Sequence, residues 1–390
     1  MVRRLWTVTR QKSVKNRPHE RLLSVYLDRG VIPYTEGGGL VHKPSDSLTN
    51  YQLVEPGDFV LNNQQAWRGS VGVSSYRGIV SPAYVVLTLS RALEPHYANF
   101  FFRSSVFVRQ LEVASAGVGY IQRQLKMPWL RNLEVLVPPR ETQNAIANFL
   151  EREVSRIDQL IQKKYRLVDL LEEKCESELA RLVTQGNDPN FAKQASIYPW
   201  GVDFPAHWAE APFGLLMRRS KTSVGSRSSE YKLLSLGKQG IVERDIESGK
   251  GKFPTDFDSY QIVRPGQIVL CLFDMDETPR TVGLSGMTGM VTGAYDVMTV
   301  GEYASPEYVY LYLLYLDQGK RLKPFYSGLR KVVRLPTLRT IRMPLPPKAE
   351  QDAIVFEYKK LANTLTALNQ KIRGSIERLR EFRAVLITAA

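Results

Sequence analysis

The amino-acid sequence predicts an α+β protein in which two mixed α/β lobes are each followed by one long coiled-coil helix. Three observations carry that expectation. The chain repeats itself: Tyr51-Gln-Leu-Val-Glu-Pro-Gly-Asp-Phe-Val-Leu61 returns as Tyr260-Gln-Ile-Val-Arg-Pro-Gly-Gln-Ile-Val-Leu270, 209 positions on. Pro138-Pro-Arg-Glu-Thr-Gln-Asn-Ala-Ile146 returns as Pro346-Pro-Lys-Ala-Glu-Gln-Asp-Ala-Ile354 after 208, and Gly78-Ile-Val-Ser-Pro-Ala-Tyr84 as Gly289-Met-Val-Thr-Gly-Ala-Tyr295 after 211. Solenoid units recur every ~20–50 residues, so a repeat this long is a whole domain with its connector. Runs of β-branched and aromatic residues then mark strands inside each repeat, and apolar residues in heptads mark the helices. Two equivalent lobes imply two equivalent ligands, or one ligand with two half-sites.

The elements follow in order. In the first lobe, residues 1–137, Asp58-Phe-Val-Leu-Asn and Tyr84-Val-Val-Leu-Thr-Leu read as strands; Gln267-Ile-Val-Leu-Cys-Leu and Tyr295-Asp-Val-Met-Thr-Val repeat them in the second lobe, residues 205–344. Pro56-Gly57 and Pro265-Gly266 are turn dipeptides ahead of a strand. Tyr97-Ala-Asn-Phe-Phe-Phe-Arg and Glu307-Tyr-Val-Tyr-Leu-Tyr-Leu-Leu each follow a proline and read as short helices whose aromatics belong to the core. The long helices occupy 138–185 and 345–390, with a polar linker at 186–204. Both start on Pro-Pro, which is harmless in a first helical turn because the missing N–H would be unpaired there anyway. The first carries Val154, Ile161, Val168, Cys175 and Leu182 at sevens, with Leu150, Ile157 and Leu171 on the companion row. Leu160, Leu167, Leu170 and Leu179 widen the stripe beyond a two-strand seam, which implies more than one neighbour. The second carries Ile354, Tyr358, Leu361, Leu365, Leu368, Ile372, Leu379, Phe382 and Leu386, with Ser375 alone breaking the seam. At 1.5 Å per residue, a helix over 141–184 spans roughly 65 Å, the length of a spacer or an assembly platform.

Net charge is +14, of which residues 1–137 hold +8 and residues 205–344 hold +5. Concentration in the two lobes favours a polyanionic partner over mere solubility, and no basic amphipathic helix points to a membrane. No run reaches the ~18–20 apolar residues of a membrane span, and the opening Met1-Val-Arg-Arg-Leu-Trp lacks a signal-peptide core. Cys175 and Cys271 have no metal-ligand spacing, which suits a reducing cytoplasm.

A catalytic constellation is missing. His19, His42, His96 and His207 are scattered, Ser248-Gly-Lys-Gly251 departs from a phosphate loop at Arg244 and Gly251, and Gly37-Gly-Gly39 reads as a turn. Asp256, Asp258, Asp274 and Asp276 occur in one lobe only and read as solvated loop carboxylates. No Asn-Pro-Pro-aromatic methyltransferase motif occurs. The expectation is a binding protein that catalyses nothing and holds no metal.

The duplicated Pro-Pro-x-x-x-Gln helix starts at Pro138–Gln143 and Pro346–Gln351, Phe204-Pro-Ala-His-Trp208 before the second lobe, and the paired Pro-Gly strand entries together resemble the specificity subunits of Type I restriction–modification systems, the HsdS family. The resemblance covers essentially the full chain. It implies two target recognition domains in a pseudo-twofold repeat, joined and separated by two long antiparallel coiled-coil helices, each domain reading one half of a split double-stranded DNA site. It also implies two methyltransferase subunits carrying S-adenosylmethionine, docked on the helices, and a translocating restriction subunit that uses ATP and Mg. Leu150, Ile157, Ile161, Val168 and Leu171 would then meet Leu361, Leu365, Leu368, Ile372 and Leu379 across the helix pair. The Phe-Pro-x-His-Trp lead-in has no counterpart before the first lobe, which opens at Met1 already inside the repeat; a truncated start and a natural variant of a cyclic design both account for that.

Base contacts need Arg, Lys, Asn, Gln, Ser or Thr in a groove, and the lobes should differ where they read different bases. Asn62-Asn-Gln-Gln-Ala-Trp-Arg-Gly69 follows a strand and is rich in amides, which suit adenine. Its counterpart, Leu272-Phe-Asp-Met-Asp-Glu-Thr-Pro-Arg280, differs in character. The candidate readers are Asn62, Asn63, Gln64, Gln65, Arg68, Tyr76 and Arg77 in the first lobe, and Arg280, Thr281, Arg330, Lys331 and Arg334 in the second. Arg123, in Gly117-Val-Gly-Tyr-Ile-Gln-Arg123, holds a place equivalent to Ser327-Gly-Leu-Arg-Lys331. Lys221, Thr222 and Arg227, with Arg10, Lys12, Lys15 and Arg17, are candidates for phosphate contact. The alternative class is a two-lobed coiled-coil scaffold that binds proteins or RNA.

Overall fold

Alternating apolar side chains cover both faces of a central strand, and this alternation builds the first lobe around one four-stranded sheet. In this computed structural model, which describes residues 1–390 except 28, 37–43, 119–121, 189, 198–202 and 245–256, the sheet consists of β1 (Thr9–Lys12), β2 (Asp58–Asn62), β3 (Val71–Val73) and β4 (Tyr84–Leu89). Its order is β1-β4-β2-β3, with every pairing antiparallel. Phe59 and Leu61 of β2 face α1 (Pro95–Arg103) and α2 (Ser105–Val113), where Phe59 stacks 4.0 Å from Phe102. Val60, between them, faces a smaller layer with Val25, Val54 and Val80. The hairpin of β5 (Ser115–Val118) and β6 (Gln122–Leu125) follows α2.

The long helix α3 (Arg140–Gln185) leads to the second lobe, whose sheet has β7 (Met217–Ser220), β8 (Ile268–Leu270), β9 (Val282–Leu284) and β10 (Asp296–Val300). Its order, β7-β10-β8-β9, is that of the first lobe, and a single helix, α4 (Pro306–Gln318), stands where the first lobe has two. The second long helix is α5 (Lys348–Ala389). The repeated Gly78 and Gly289 are required by close approach: a Cβ on Gly78 would collide with the Arg21 carbonyl, and one on Gly289 would sit 2.7 Å from the Lys232 carbonyl.

The repeated glutamine of Pro-Pro-x-x-x-Gln locks each lobe to its own helix start. Gln143, 1% exposed, accepts the Glu94 N–H ahead of α1 and donates to the carbonyls of Ala92 and Pro138, each bond 2.8 Å. Gln351, also 1% exposed, accepts the Ser305 N–H ahead of α4 at 2.8 Å and donates to Pro346 at 2.9 Å. A matching pair of tyrosines adds a second tie: Tyr97 donates to the Leu136 carbonyl and Tyr308 to that of Pro344. Burial pushes the Tyr97 hydroxyl up to about 12 and raises Tyr308 as well.

By contacts the chain forms two compact units, Met1–Tyr165 with Ile372–Ala390, and Arg166–Lys371, so each unit owns half of each long helix. In the first unit the halves run antiparallel: Asp158 pairs with Arg383 at 2.9 Å, and Arg380 donates to the Tyr165 hydroxyl at 2.6 Å. In the second unit Cys175 Sγ lies 3.8 Å from the Tyr358 hydroxyl, and burial raises both groups. Leu179, Leu182 and Val183 at the end of α3 enter the second lobe's core together with Phe204 and Trp208 of the lead-in motif.

The helical seam departs from the heptad reading in α5. Leu150, Ile157, Ile161, Val168 and Ile372 are buried, and Leu171, Leu361, Leu365 and Leu379 are half-buried. Leu368 is 41% exposed and Phe382 is also exposed, so neither belongs to the seam. One of the two rows moves one place on, to half-buried Asn369 and then to Ile376, which takes the position expected of Ser375 and is 1% exposed, while Ile372 and Leu379 keep their places. Between Leu365 and Ile372 the steps are thus 4 and then 3, where the heptad reading has 3 and then 4. Among the described residues no helix is long and apolar enough to cross a membrane.

Candidate nucleic-acid interface

The same end of each central sheet carries a loop tied to a turn from later in the lobe. In the first lobe the loop after β2 is held against the hairpin: the Leu125 N–H reaches the Asn63 Oδ1 at 3.0 Å and the Asn63 carbonyl at 3.3 Å. In the second, the Val333 N–H reaches the Leu272 carbonyl at 3.0 Å, the equivalent bond 208 to 209 positions on. An arginine from the later segment then lies over an aromatic ring from the loop. Arg123 sits 4.9 Å from the Trp67 ring, with Arg68 5.8 Å from the same ring, and Arg330 sits 4.7 Å from Phe273. Such contacts favour a guanidinium lying flat on the ring.

The structure thus brings Asn62, Asn63, Gln64, Gln65, Arg68 and Arg123 into one head, with Gln64 and Arg68 exposed. Two of the amides serve the loop itself. Asn62 Oδ1 accepts the Gln64 N–H and Asn63 Oδ1 accepts the Leu125 N–H, so the oxygens of both amides support the loop. Arg330 and Lys331 form the tip of the second head, in the turn closed by Ser327 and Val332, while Arg334 is exposed just beyond it.

Several expected contacts are drawn elsewhere. Thr281 is 3% exposed, and its N–H and hydroxyl both donate to buried Asp317 of α4, which leaves nothing for a ligand. Arg280 donates to the Tyr310 hydroxyl on α4, and its charge acts on Cys175 and Tyr358, so it faces the helices. Tyr76 packs on the first lobe's small core, and Arg77 is paired with Glu20 at 2.9 Å and Glu55 at 3.1 Å, at the opposite end of β2 from Asn62. Lys12 is taken by Asp58 at 2.7 Å and Glu55 at 2.6 Å. For Thr281, Arg280, Arg77 and Lys12 the cause is the same, a carboxylate or hydroxyl far away in sequence. Arg10, Lys15, Arg17, Lys221 and Arg227 are exposed and Thr222 is half-buried. Lys221 follows β7 at the head end of its sheet; burial raises the carboxyl of neighbouring Asp296, while Arg219 and Lys221 pull it back.

Three features went unread in the sequence. Trp67 and Phe273 are the platforms under the arginines, and only their pairing with segments far along the chain reveals it. Asp274, expected as a solvated carboxylate, is bound to Arg330, which holds its carboxyl below the usual range. Arg218, Arg219 and Arg264 line one polar groove with Ser220, Gln267 and Thr299. Among the described residues no three His, Cys, Asp or Glu side chains are grouped to hold a metal. Gly37–Gly39, His42, Ser248–Gly251 and Asp256 lie outside the described residues, as does part of the Gly117–Arg123 stretch.

No family model matches the chain, and no curated protein matches it by sequence. Solved structures do. A chain from work on complex assembly and conformational transition of the type I R-M system aligns over 99% of this chain and 96% of its own, with TM-score 0.71 and 15% identity. The fold is that of a Type I specificity subunit. The HsdS subunit from Thermoanaerobacter tengcongensis aligns over 99% of this chain and 95% of its own, with TM-score 0.53 and 17% identity. At such low identity the likeness lies in the HsdS fold, two mixed lobes with two long helices, and the heads have to be judged from their own chemistry.

Proposed function

We propose that this chain is the DNA-specificity subunit of a Type I restriction–modification complex, in which each lobe reads one half of a bipartite duplex site. The observation that carries the reading is the pair of heads: the same backbone tie at the same place in both repeats, fitted with different side chains. A scaffold has no need to keep the tie while changing the side chains it presents. The first head offers the exposed amide of Gln64 and the guanidinium groups of Arg68 and Arg123, matched to adenine and guanine edges; the second offers Arg330 and Lys331. Exposed Lys15, Arg17, Lys221 and Arg227, with the arginine groove of the second lobe, suit phosphates, which supply most of the affinity.

In this reading the lobes are related by a pseudo-twofold axis, matching the local symmetry of a duplex, and the helices set the distance between half-sites. The exposed leucines Leu160, Leu167 and Leu170 form the apolar row on which methyltransferase subunits dock. Those subunits carry S-adenosylmethionine and a restriction subunit uses ATP and Mg, while this chain contributes recognition alone.

The test is co-expression with the cognate methyltransferase, mapping of modified bases across the host genome, and duplex binding at fixed salt. A split motif with a constant spacer is expected, together with tighter binding to that motif than to a scrambled duplex. Removing one phosphate-contacting lysine should weaken both duplexes alike and lower the salt slope by about one. Equal affinity for motif and scramble rules the proposal out.

A further inference from the structure

The second head holds its arginine with a carboxylate. Arg330 Nε donates to Asp274 Oδ1 at 3.0 Å and Nη2 donates to Oδ2 at 2.5 Å, so the side edge of the guanidinium is filled by a carboxylate. The Asp274 N–H also donates to the Arg330 carbonyl, at 2.6 Å, and Asp274 takes a φ of 50° to make that possible. Phe273 lies under the guanidinium plane. Nη1 has no partner among the described residues, and the Arg330 side chain is 64% exposed. What remains outward is the end formed by Nη1 and the second hydrogen of Nη2: two parallel donors in a fixed plane.

We propose that Arg330 reads a guanine in the half-site bound by the second lobe, with Asp274 as the residue that positions it. This rests on the DNA-reading proposal above and narrows it to a base. Two parallel N–H donors match the O6 and N7 acceptors of guanine in the major groove. Holding the donors in place before binding removes the rotamer freedom that a long side chain otherwise loses on contact. The carboxylate also decides against the other common target of arginine. Beside a phosphodiester Asp274 would repel the ligand, whereas the guanine edge is neutral and tolerates an ion pair. Leu329, 99% exposed at the tip of the same turn, gains nothing from phosphates but gains apolar contact from a thymine methyl in the groove. In the first head the hairpin arginine, Arg123, reaches Glu112 at 3.5 Å and lies over Trp67.

The experiment selects duplexes from a random-sequence DNA pool with the full chain bound to its methyltransferase subunits, at fixed salt. Wild type should select a split consensus with a guanine in one half. Arg330→Ala should lower the preference for that guanine by roughly ten- to a hundred-fold and leave the other half unchanged. Arg330→Lys keeps the charge without the fork, so affinity should persist while the guanine preference goes. Asp274→Asn should weaken the preference at the same single position, with an unchanged unfolding temperature, which a purely structural tie would not do. A split consensus that survives intact in Arg330→Ala and Asp274→Asn overturns this inference alone. A wild-type pool with no consensus overturns the DNA-reading proposal, and this inference with it.

Discussion

The two lobes solve one buried problem in two ways. In the first, Asp58 at the start of β2 accepts the Glu55 N–H, the Thr88 hydroxyl and the Lys12 ammonium. In the second, Gln267 holds the equivalent place, accepts the Arg264 N–H and donates to the Thr299 hydroxyl, and Ser220 stands where Lys12 would be. The geometry is kept while the charge is exchanged, because a buried carboxylate needs a cation and a neutral amide does not. The heads show the opposite behaviour: the backbone tie is kept and nearly every side chain on it differs. A frame position is constrained by its neighbours inside the lobe, whereas a head position is constrained by what lies outside it.

Removing one half of the Asp58–Lys12 pair should have the largest effect. Lys12→Ser is expected to destabilise the first unit by about 3 kcal/mol in urea unfolding, since it leaves a buried carboxylate without its cation. Adding Asp58→Gln, which transplants the second lobe's solution, should recover most of that loss. If the double variant is no better than the single one, the two sites are not equivalent. Next come the helix locks. Gln143→Leu and Gln351→Leu should each cost about 2 kcal/mol by stranding a buried N–H and carbonyl, and the two costs should agree within experimental scatter. A smaller asymmetry lies in the lobe helices. Ser104 ends α1 and accepts the Phe107 N–H to start α2, a break that uninterrupted α4 lacks. Ser104→Ala should cost about 1 kcal/mol by thermal unfolding.

The smallest effect concerns pH. Arg330 depresses Asp274, so their pairing is complete above the ordinary carboxylate value near about 4 and is lost only as pH falls through the lower folded value. Base preference at the second head should therefore be flat from about pH 6 to 9. A titration within that window would place the control on another group.

Much of the frame was legible in the chain alone. The Pro-Gly strand entries, the strands at Asp58 and Tyr84, and the helix starts just after the two Pro-Pro pairs, at Arg140 and Lys348, are local patterns, and local propensity with periodicity is enough to read them. The heads were legible only in outline. The stretch from Asn62 to Gly69 was marked by its amides, but nothing in it reveals that Asn63 accepts the Leu125 N–H or that Trp67 lies beneath Arg123. Arg77, Arg280 and Thr281 looked free because their partners Glu20, Tyr310 and Asp317 lie 57, 30 and 36 positions away. The exchange of Ser375 for Ile376 had a different origin: both lie between Ile372 and Leu379 in a seam of steps of 3 and 4, and packing chose the apolar one.

By itself the sequence determined that there are two copies of one module, where each begins its long helix, and which faces are apolar. These depend on residues close together along the chain, whose spacing survives without coordinates. Only the tertiary structure decided which polar side chains remain available. A charge pairs with whatever the fold brings within about 3 Å, and that neighbour is set by packing at a distance in sequence.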